Sequence, residues 1–430
     1  MFRRDPSSDA GPLGSETPTA PETRVVNSCV RASNFRYLLA SAVSSAFGGA
    51  MSGVAVTWLV YHFTGSTLAV AYVGLTGFVP AIVFGLLAGV IADRYDRRRL
   101  MITSDLVRLG AMGVLVFVLF LTGFSLFLVL AVMTLVFSFT ALFTPASQAI
   151  LPRIATVEQL ENANGLITAS TQTAMTLGSG AGGLVLVFAG AIGGLSLNVA
   201  TYALSALFLF QIAAEAGRID SRKATSSRSF RSDFREGIDY MRTHRPVLEV
   251  TLGMVPLNFL FVMVVVFFVV YATTVFGSDP AVYGYIVAGT TAGTAVGALI
   301  VGRIRARRFA GVVIALSAVL MGGAIGVMAW GRTLPEALVG AASIGFCLGL
   351  LNTTYYSTMQ AIVPNQLLAR VLSIDSVASF VAIPAGLVVG GVLSSIHGIL
   401  FTYSLAAVGI FVNGLVLLAL PGVRSLKYAS

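Results

Sequence analysis

Charge is what this sequence has least of. Asp, Glu, Lys and Arg together make up 10% of its 430 residues, against about 25% in an average soluble domain. Hydrophobic residues reach 56%, and the mean hydropathy is +0.88. A water-soluble core cannot absorb that much apolar surface, and the remainder would be too adhesive to stay in solution. Soluble enzymes, DNA-binding proteins and secreted disulfide scaffolds are thereby excluded together. Cysteine is nearly missing: Cys29 and Cys347 lie too far apart in sequence and in expected depth to pair. The three histidines, His62, His244 and His397, are scattered. Neither metal-ligand spacing nor a phosphate-cradling glycine loop appears, so no metal, cofactor or ATP is expected. The 45 glycines are spread through apolar runs, where glycine serves close helix packing.

Those apolar runs dominate the chain. No charged residue occurs from Tyr37 to Ala92, a stretch of 56 residues cut once by the polar turn His62 to Thr67. A membrane helix needs roughly 20 apolar residues, so this stretch reads as two spans, 37–61 and 69–92. The same rule gives 100–121, 125–146, 163–189 and 194–213. After a polar interval it gives 248–274, 282–302, 309–330, 335–357, 372–394 and 398–420, twelve in all. Residues 1–36 carry Pro6, Pro12, Pro18 and Pro21 and no apolar run. They read as a disordered tail rather than a signal peptide, which leaves the first run as a retained span.

The basic residues are few but strongly placed. If the N-terminal side is the cytoplasm, 25 of the 27 Lys and Arg fall on that side. Arg332 lies opposite and Arg108 lies within the third span. This is the positive-inside pattern, and it puts both termini in the cytoplasm of a cell-membrane protein. The net charge of +9 is then explained by anionic lipid and the insertion rule, with no nucleic-acid partner.

The chain divides in two. Residues 37–213 form an N-terminal six-helix bundle, 214–247 a linker, 248–421 a C-terminal six-helix bundle and 422–430 a cytoplasmic tail. In the linker, Phe230, Phe234, Ile238 and Met241 recur at helical spacing, predicting an amphipathic helix at the membrane surface. The halves repeat each other. Gln148 to Pro152 returns as Gln360 to Pro364 at an offset of 212, the Arg94 cluster returns as the Arg303 cluster at 209, and Gly178 to Gly183 returns as Gly386 to Gly391 at 208. Duplicated halves of this kind put a substrate site between them near mid-membrane.

Between the second and third spans stands Gly89-Val90-Ile91-Ala92-Asp93-Arg94-Tyr95-Asp96-Arg97-Arg98-Arg99. It resembles the G-x-x-x-D-R-x-x-R-R-x loop of the major facilitator superfamily. Phe63 to Ser66, Phe143 to Ala146, Leu151-Pro152 and Asn162 to Asn164 resemble its macrolide-efflux and enterobactin-exporter branch. The resemblance implies an all-α integral membrane fold of 12 transmembrane helices in two pseudo-symmetric six-helix bundles, working by alternating access. It implies a gate in which Gly89 allows close helix approach and Asp93, Arg94, Arg97 and Arg98 latch the cytoplasmic side. The alternative is that these arginines only set topology. In the second copy, Gly302 and Arg305 replace Asp93 and Asp96, so any latch is asymmetric. Gly178, Gly182 and Gly183 resemble an antiporter motif, with Ser179 where that motif has proline; packing alone also explains them.

Charges inside spans are costly and tend to be functional. They are Asp105, Arg108, Glu249 and Asp375, with Arg370 one turn before the last. All are expected near the cytoplasmic face as one gate and coupling network. The substrate cavity is expected to be neutral and amphipathic, built from Gln172, Asn258, Asn352, Tyr355, Trp58 and Phe143, with no basic residue at mid-depth. These features predict a monomeric secondary exporter of amphipathic, drug-like small molecules, not an enzyme, with proton antiport implied by the family. Siderophore or metabolite export, uptake, and a membrane sensor are the competing readings.

Overall fold

A computed structural model describes residues 33–78, 80, 95–154, 160–213, 230–277, 279–301 and 309–426. The first half comprises α1 (Ser33–Thr64), α2 (Thr67–Phe78), α3 (Arg97–Leu121), α4 (Leu126–Ile154) and α5 (Leu160–Phe210). A linker helix α6 (Phe230–Thr243) leads into α7 (Arg245–Val265), α8 (Phe268–Phe276) and α9 (Pro280–Val301). Then follow α10 (Ala310–Trp330), α11 (Leu334–Ile362), α12 (Asn365–His397), α13 (Ile399–Ala419) and the short α14 (Pro421–Ser425). Among the described residues, nine of these helices are long and apolar enough to cross a membrane. One of them, α5, folds back on itself and crosses twice, and the shorter apolar segments Thr67–Phe78 (α2) and Val381–His397 (within α12) complete twelve passages.

Local signals account for the helix ends. Asp96 caps α3 by accepting the Arg99 N–H at 2.8 Å. Thr333 and Glu336 form a reciprocal capping box at the start of α11, satisfying N–H groups that the first turn leaves unpaired. Pro246 and Pro335 sit in the first turns of α7 and α11, where their missing N–H costs nothing. Two helices extend beyond their expected ends at 146 and 357. Helix α4 runs through Pro145 and Pro152 to Ile154, and α11 runs to Ile362. Both helices continue beyond the apolar run that marks their membrane segment.

Ser33 and Leu426 lie on one face of the molecule, here the terminal face. The Ala213 N–H bonds to Asn34 Oδ1 at 3.2 Å, and the Gly311 N–H bonds to the Leu426 carbonyl at 3.5 Å. On the opposite face the chain turns sharply. Gly65, Gly123, Gly190, Gly277 and Gly398 all adopt positive φ, and they are the only described residues that do. At Gly190 the pair φ 67°, ψ −176° lets two helices reverse without an intervening loop, which explains why the expected break at 190–193 is missing. That region of backbone space is essentially closed to side chains and costs about 1–3 kcal/mol to occupy otherwise. We expect Gly190→Ala to lower the thermal unfolding midpoint in detergent; an unchanged midpoint would contradict this account of the turn.

Glycine also sets helix separation. Gly293 and Gly297 of α9 rest on the backbone of Ala342 and Phe346. Reciprocally, Gly345 and Gly349 of α11 rest on Thr290 and Thr294. Helices in lipid lack a hydrophobic drive to associate, so such close backbone approach supplies the packing energy. The linker helix forms as expected, with Met241 buried. It leans on the second half rather than lying free at a surface: Gly237 packs against Arg370 and Ile374 of α12, and Tyr240 Oη donates to the Ile362 carbonyl at 3.4 Å.

Candidate functional site

A cavity of about 530 Å³ opens among α1, α3, α4 and α5. Its apolar wall includes Met133, Val136, Phe137, Phe143 and Ile167, and its polar wall includes Ser45, Thr140, Thr168, Thr171 and Gln172. A second cavity of about 430 Å³ shares Ala50, Met133 and Phe137 with it and continues between the two halves, where Thr57, Phe268, Tyr283 and Thr290 enter the wall. Beyond this second cavity, toward the opposite face, the halves meet. Thr67 Oγ1 donates to the Gly391 carbonyl at 3.0 Å, Gly74 lies on Leu387, and Gly183 and Gly284 lie backbone to backbone.

One charged side chain stands in the wall of the larger cavity. Arg108 is the twelfth of 25 residues in α3, so it lies midway along the helix. This corrects the expectation of a cavity with no basic group at mid-depth. Arg108 Nη2 pairs with Asp105 Oδ1 one turn earlier. Nη1 donates to Ser45 Oγ at 3.0 Å and to Thr140 Oγ1 at 3.4 Å, and Nε donates to the Ser104 carbonyl at 3.3 Å. The guanidinium lies over the rings of Phe143, 4.7 Å from the centroid, and Tyr202, at 4.9 Å. Asp105 Oδ2 accepts the Ser205 hydroxyl at 2.6 Å, and Ser205 lies 2.8 Å from the Ser41 hydroxyl. A charged pair survives in apolar surroundings only with this degree of hydrogen bonding.

The remaining charges do not join it, so the expected single network divides into separate contacts. Arg370 Nη1 binds Glu236 Oε1 at 2.7 Å, tying α12 to the linker helix. Glu249 Oε2 accepts the Val423 N–H at 3.2 Å and holds α14 against α7. Asp375 is half-buried on α12 and faces the Tyr355 hydroxyl, which also faces Thr251. Of the loop motif, Gly89, Asp93 and Arg94 lie outside the described residues. Arg97 and Arg98 open α3. Arg98 donates to the carbonyls of Leu209 at 3.1 Å and Phe210 at 2.8 Å. It thus neutralises the C-terminal end of α5 within its own half.

The expected cavity residues separate as well. Gln172 and Phe143 line the larger cavity. Trp58 stacks on His62 near the opposite face, with ring centroids 4.4 Å apart. Asn258 is half-buried, Asn352 is exposed and Tyr355 is buried, and none of these three lines either cavity. Sequence reasoning missed Ser45, Thr140 and Tyr202, and also Thr168 and Thr171. A signal for the last two was present, because Thr168, Thr171, Gln172 and Met175 recur at helical spacing. Gly178 and Gly182 lie on the backbone of Phe47 and Met51 in α1, as close packing requires.

Residues 26–429 match the family described as transmembrane secretion effector. The chain is 28% identical over 405 residues to the multidrug efflux pump Tap of Mycolicibacterium fortuitum, covering 91% of this chain and 97% of that one. Over 131 residues it is 33% identical to macrolide efflux protein A of Streptococcus pyogenes, 30% of this chain and 32% of that one. A solved bacterial homolog of the human lysosomal transporter Spinster superposes with a TM-score of 0.62 at 15% identity, covering 92% and 96%. That likeness concerns the fold alone. With twelve membrane passages around a cavity between two bundles, and a family match over nearly its whole length, the chain belongs to the transmembrane secretion effector family of major facilitator superfamily transporters.

Proposed function

We propose that the protein exports amphipathic small molecules from the cell by alternating access, as a monomer in the cell membrane, with proton antiport driving the cycle. The observation that carries this reading is the larger cavity, which offers an apolar and aromatic wall with a few convergent polar groups. The names of the relatives, a multidrug efflux pump and a macrolide efflux protein, support export over uptake. The arrangement of basic residues supports a cytoplasmic terminal face, with halves 37–213 and 248–421 joined by the linker 214–247. On that orientation the halves touch on the outer side of the cavities, so the described state receives substrate from the cytoplasm.

Overexpression in a drug-sensitive host should lower intracellular accumulation of amphipathic compounds and raise resistance to them. Raised accumulation would overturn export in favour of uptake. Proton coupling is tested in proteoliposomes under an imposed pH gradient, where rates indifferent to the gradient would remove it. Gln172→Ala should change the rank order of exported compounds with protein abundance intact, whereas Asn258→Ala, outside both cavities, should alter it less. Equal effects would count against assigning recognition to the larger cavity.

A further inference from the structure

The larger cavity has a polarity of its own. Arg108 is among its walls, whereas its partner Asp105 is not and has no exposed surface. The carboxylate is turned away toward α1 and the second arm of α5, where Ser41 and Ser205 receive it. The pair is neutral as a whole, but its positive end faces the hollow. No acidic side chain occurs among the described residues of either cavity wall. Around the guanidinium, Phe143 and Tyr202 occupy its faces and leave its edge for hydrogen bonding.

The bonds along that edge are unequal. Nη2 is held by a carboxylate, whereas Nη1 bonds to neutral hydroxyls, Ser45 at 3.0 Å and Thr140 at 3.4 Å. Both hydroxyls are themselves part of the cavity wall. Thr140 already donates its proton to the Val136 carbonyl at 2.8 Å, so it meets Arg108 only as an acceptor. A charged oxygen is a stronger acceptor than a hydroxyl and would displace both. Gln172, across the same hollow, carries a second N–H donor.

We propose that Arg108 is the substrate-orienting charge of this cavity, and that the exported molecules are amphipathic acids whose anionic oxygen group docks on Arg108 Nη1. Asp105 acts as a positioning residue, fixing the guanidinium edge-on toward the hollow. The apolar body of the substrate lies against Met133, Phe137 and Ile167. Among the described residues of the cavity walls a protonated amine finds no counter-charge. The inference rests on the export reading but is judged by binding, so the two can fail separately.

The test uses three probes with one apolar body: 1-pyrenebutyrate, its neutral amide and 1-pyrenebutylamine. Binding to the purified full chain in nanodiscs is measured above the partitioning into protein-free nanodiscs. The acid should bind roughly tenfold or more tighter than the amide or the amine, the scale of one charge-assisted hydrogen bond. Arg108→Lys should keep part of that preference. The double variant Asp105→Asn/Arg108→Gln removes both charges together and leaves neither one stranded. It should erase the preference while amide binding persists, a change that a merely structural role for Arg108 would not produce. Equal binding of acid and amide by the unmodified protein would overturn the proposal, as would an acid preference that survives in the double variant.

Discussion

Asp105→Ala is expected to destabilise the protein by about 3–5 kcal/mol, the cost of leaving a buried charge without its partner. Asp105 is wholly buried and Arg108 is 2% exposed. Removing the carboxylate strands the guanidinium among Phe143, Tyr202 and neutral hydroxyls, and deprives the Ser205 hydroxyl of its shortest hydrogen bond. Water from the cavity can reach the guanidinium but does not take the carboxylate's place, because the Asp105 position has no exposed surface and is not part of the cavity wall. Adding Arg108→Gln to Asp105→Ala should restore much of the loss, since deleting a whole buried pair costs far less than breaking it. Thermal unfolding of the purified variants in detergent measures both steps. A single variant as stable as the parent, or a double variant worse than the single one, would contradict the role assigned to the pair.

Gly183→Val should have the second large effect, and on transport more than on folding. Gly183 of α5 and Gly284 of α9 face each other so closely that a Cβ on either would fall on the other's backbone. Backbone cannot move aside as a flexible side chain can. The contact belongs to the state in which the halves close beyond the cavities, so a side chain there opposes that state and leaves the other free. Each 1.4 kcal/mol of such opposition shifts the populations tenfold. Export should fall by roughly an order of magnitude with protein abundance maintained. A cysteine placed at Thr57, in the wall of the second cavity, should become more reactive toward a membrane-impermeant thiol reagent added from the opposite face. Unaltered reactivity would show that the glycine contact does not distinguish the two states.

Much of the fold was legible because membrane insertion is written in composition. A run such as Tyr37 to Ala92 has few alternatives in lipid, and twelve such runs with one-sided arginines leave little freedom. The exceptions have local causes. The apolar run put the fourth span at 125–146, yet α4 continues through Pro145 and Pro152 to Ile154 in a helix that outlasts that run. The break near Gly190 was expected as a loop, and a single glycine conformation replaced it. The site was less legible. Gln172 and Phe143 were found from polarity and aromaticity within a span. Trp58, Asn258, Asn352 and Tyr355 have the same credentials in sequence but lie outside both cavities. Helical periodicity states which residues share a face, but not which neighbour that face meets. Arg108 illustrates the limit from the other side. Its pairing with Asp105 follows from spacing alone, whereas its place in the cavity wall depends on how α1, α4 and α5 enclose α3.

The glycine turns of the opposite face bear on how this molecule can be handled and imaged. Connections as abrupt as Gly65, Gly190 and Gly398 leave scarcely any polypeptide standing clear of the membrane there. An antibody fragment raised as a fiducial for electron microscopy would have little to grasp on that side, and an epitope tag spliced into one of these turns would have to unmake a reversal that only glycine permits. Fiducials and tags belong instead on the terminal face, fused at the chain ends.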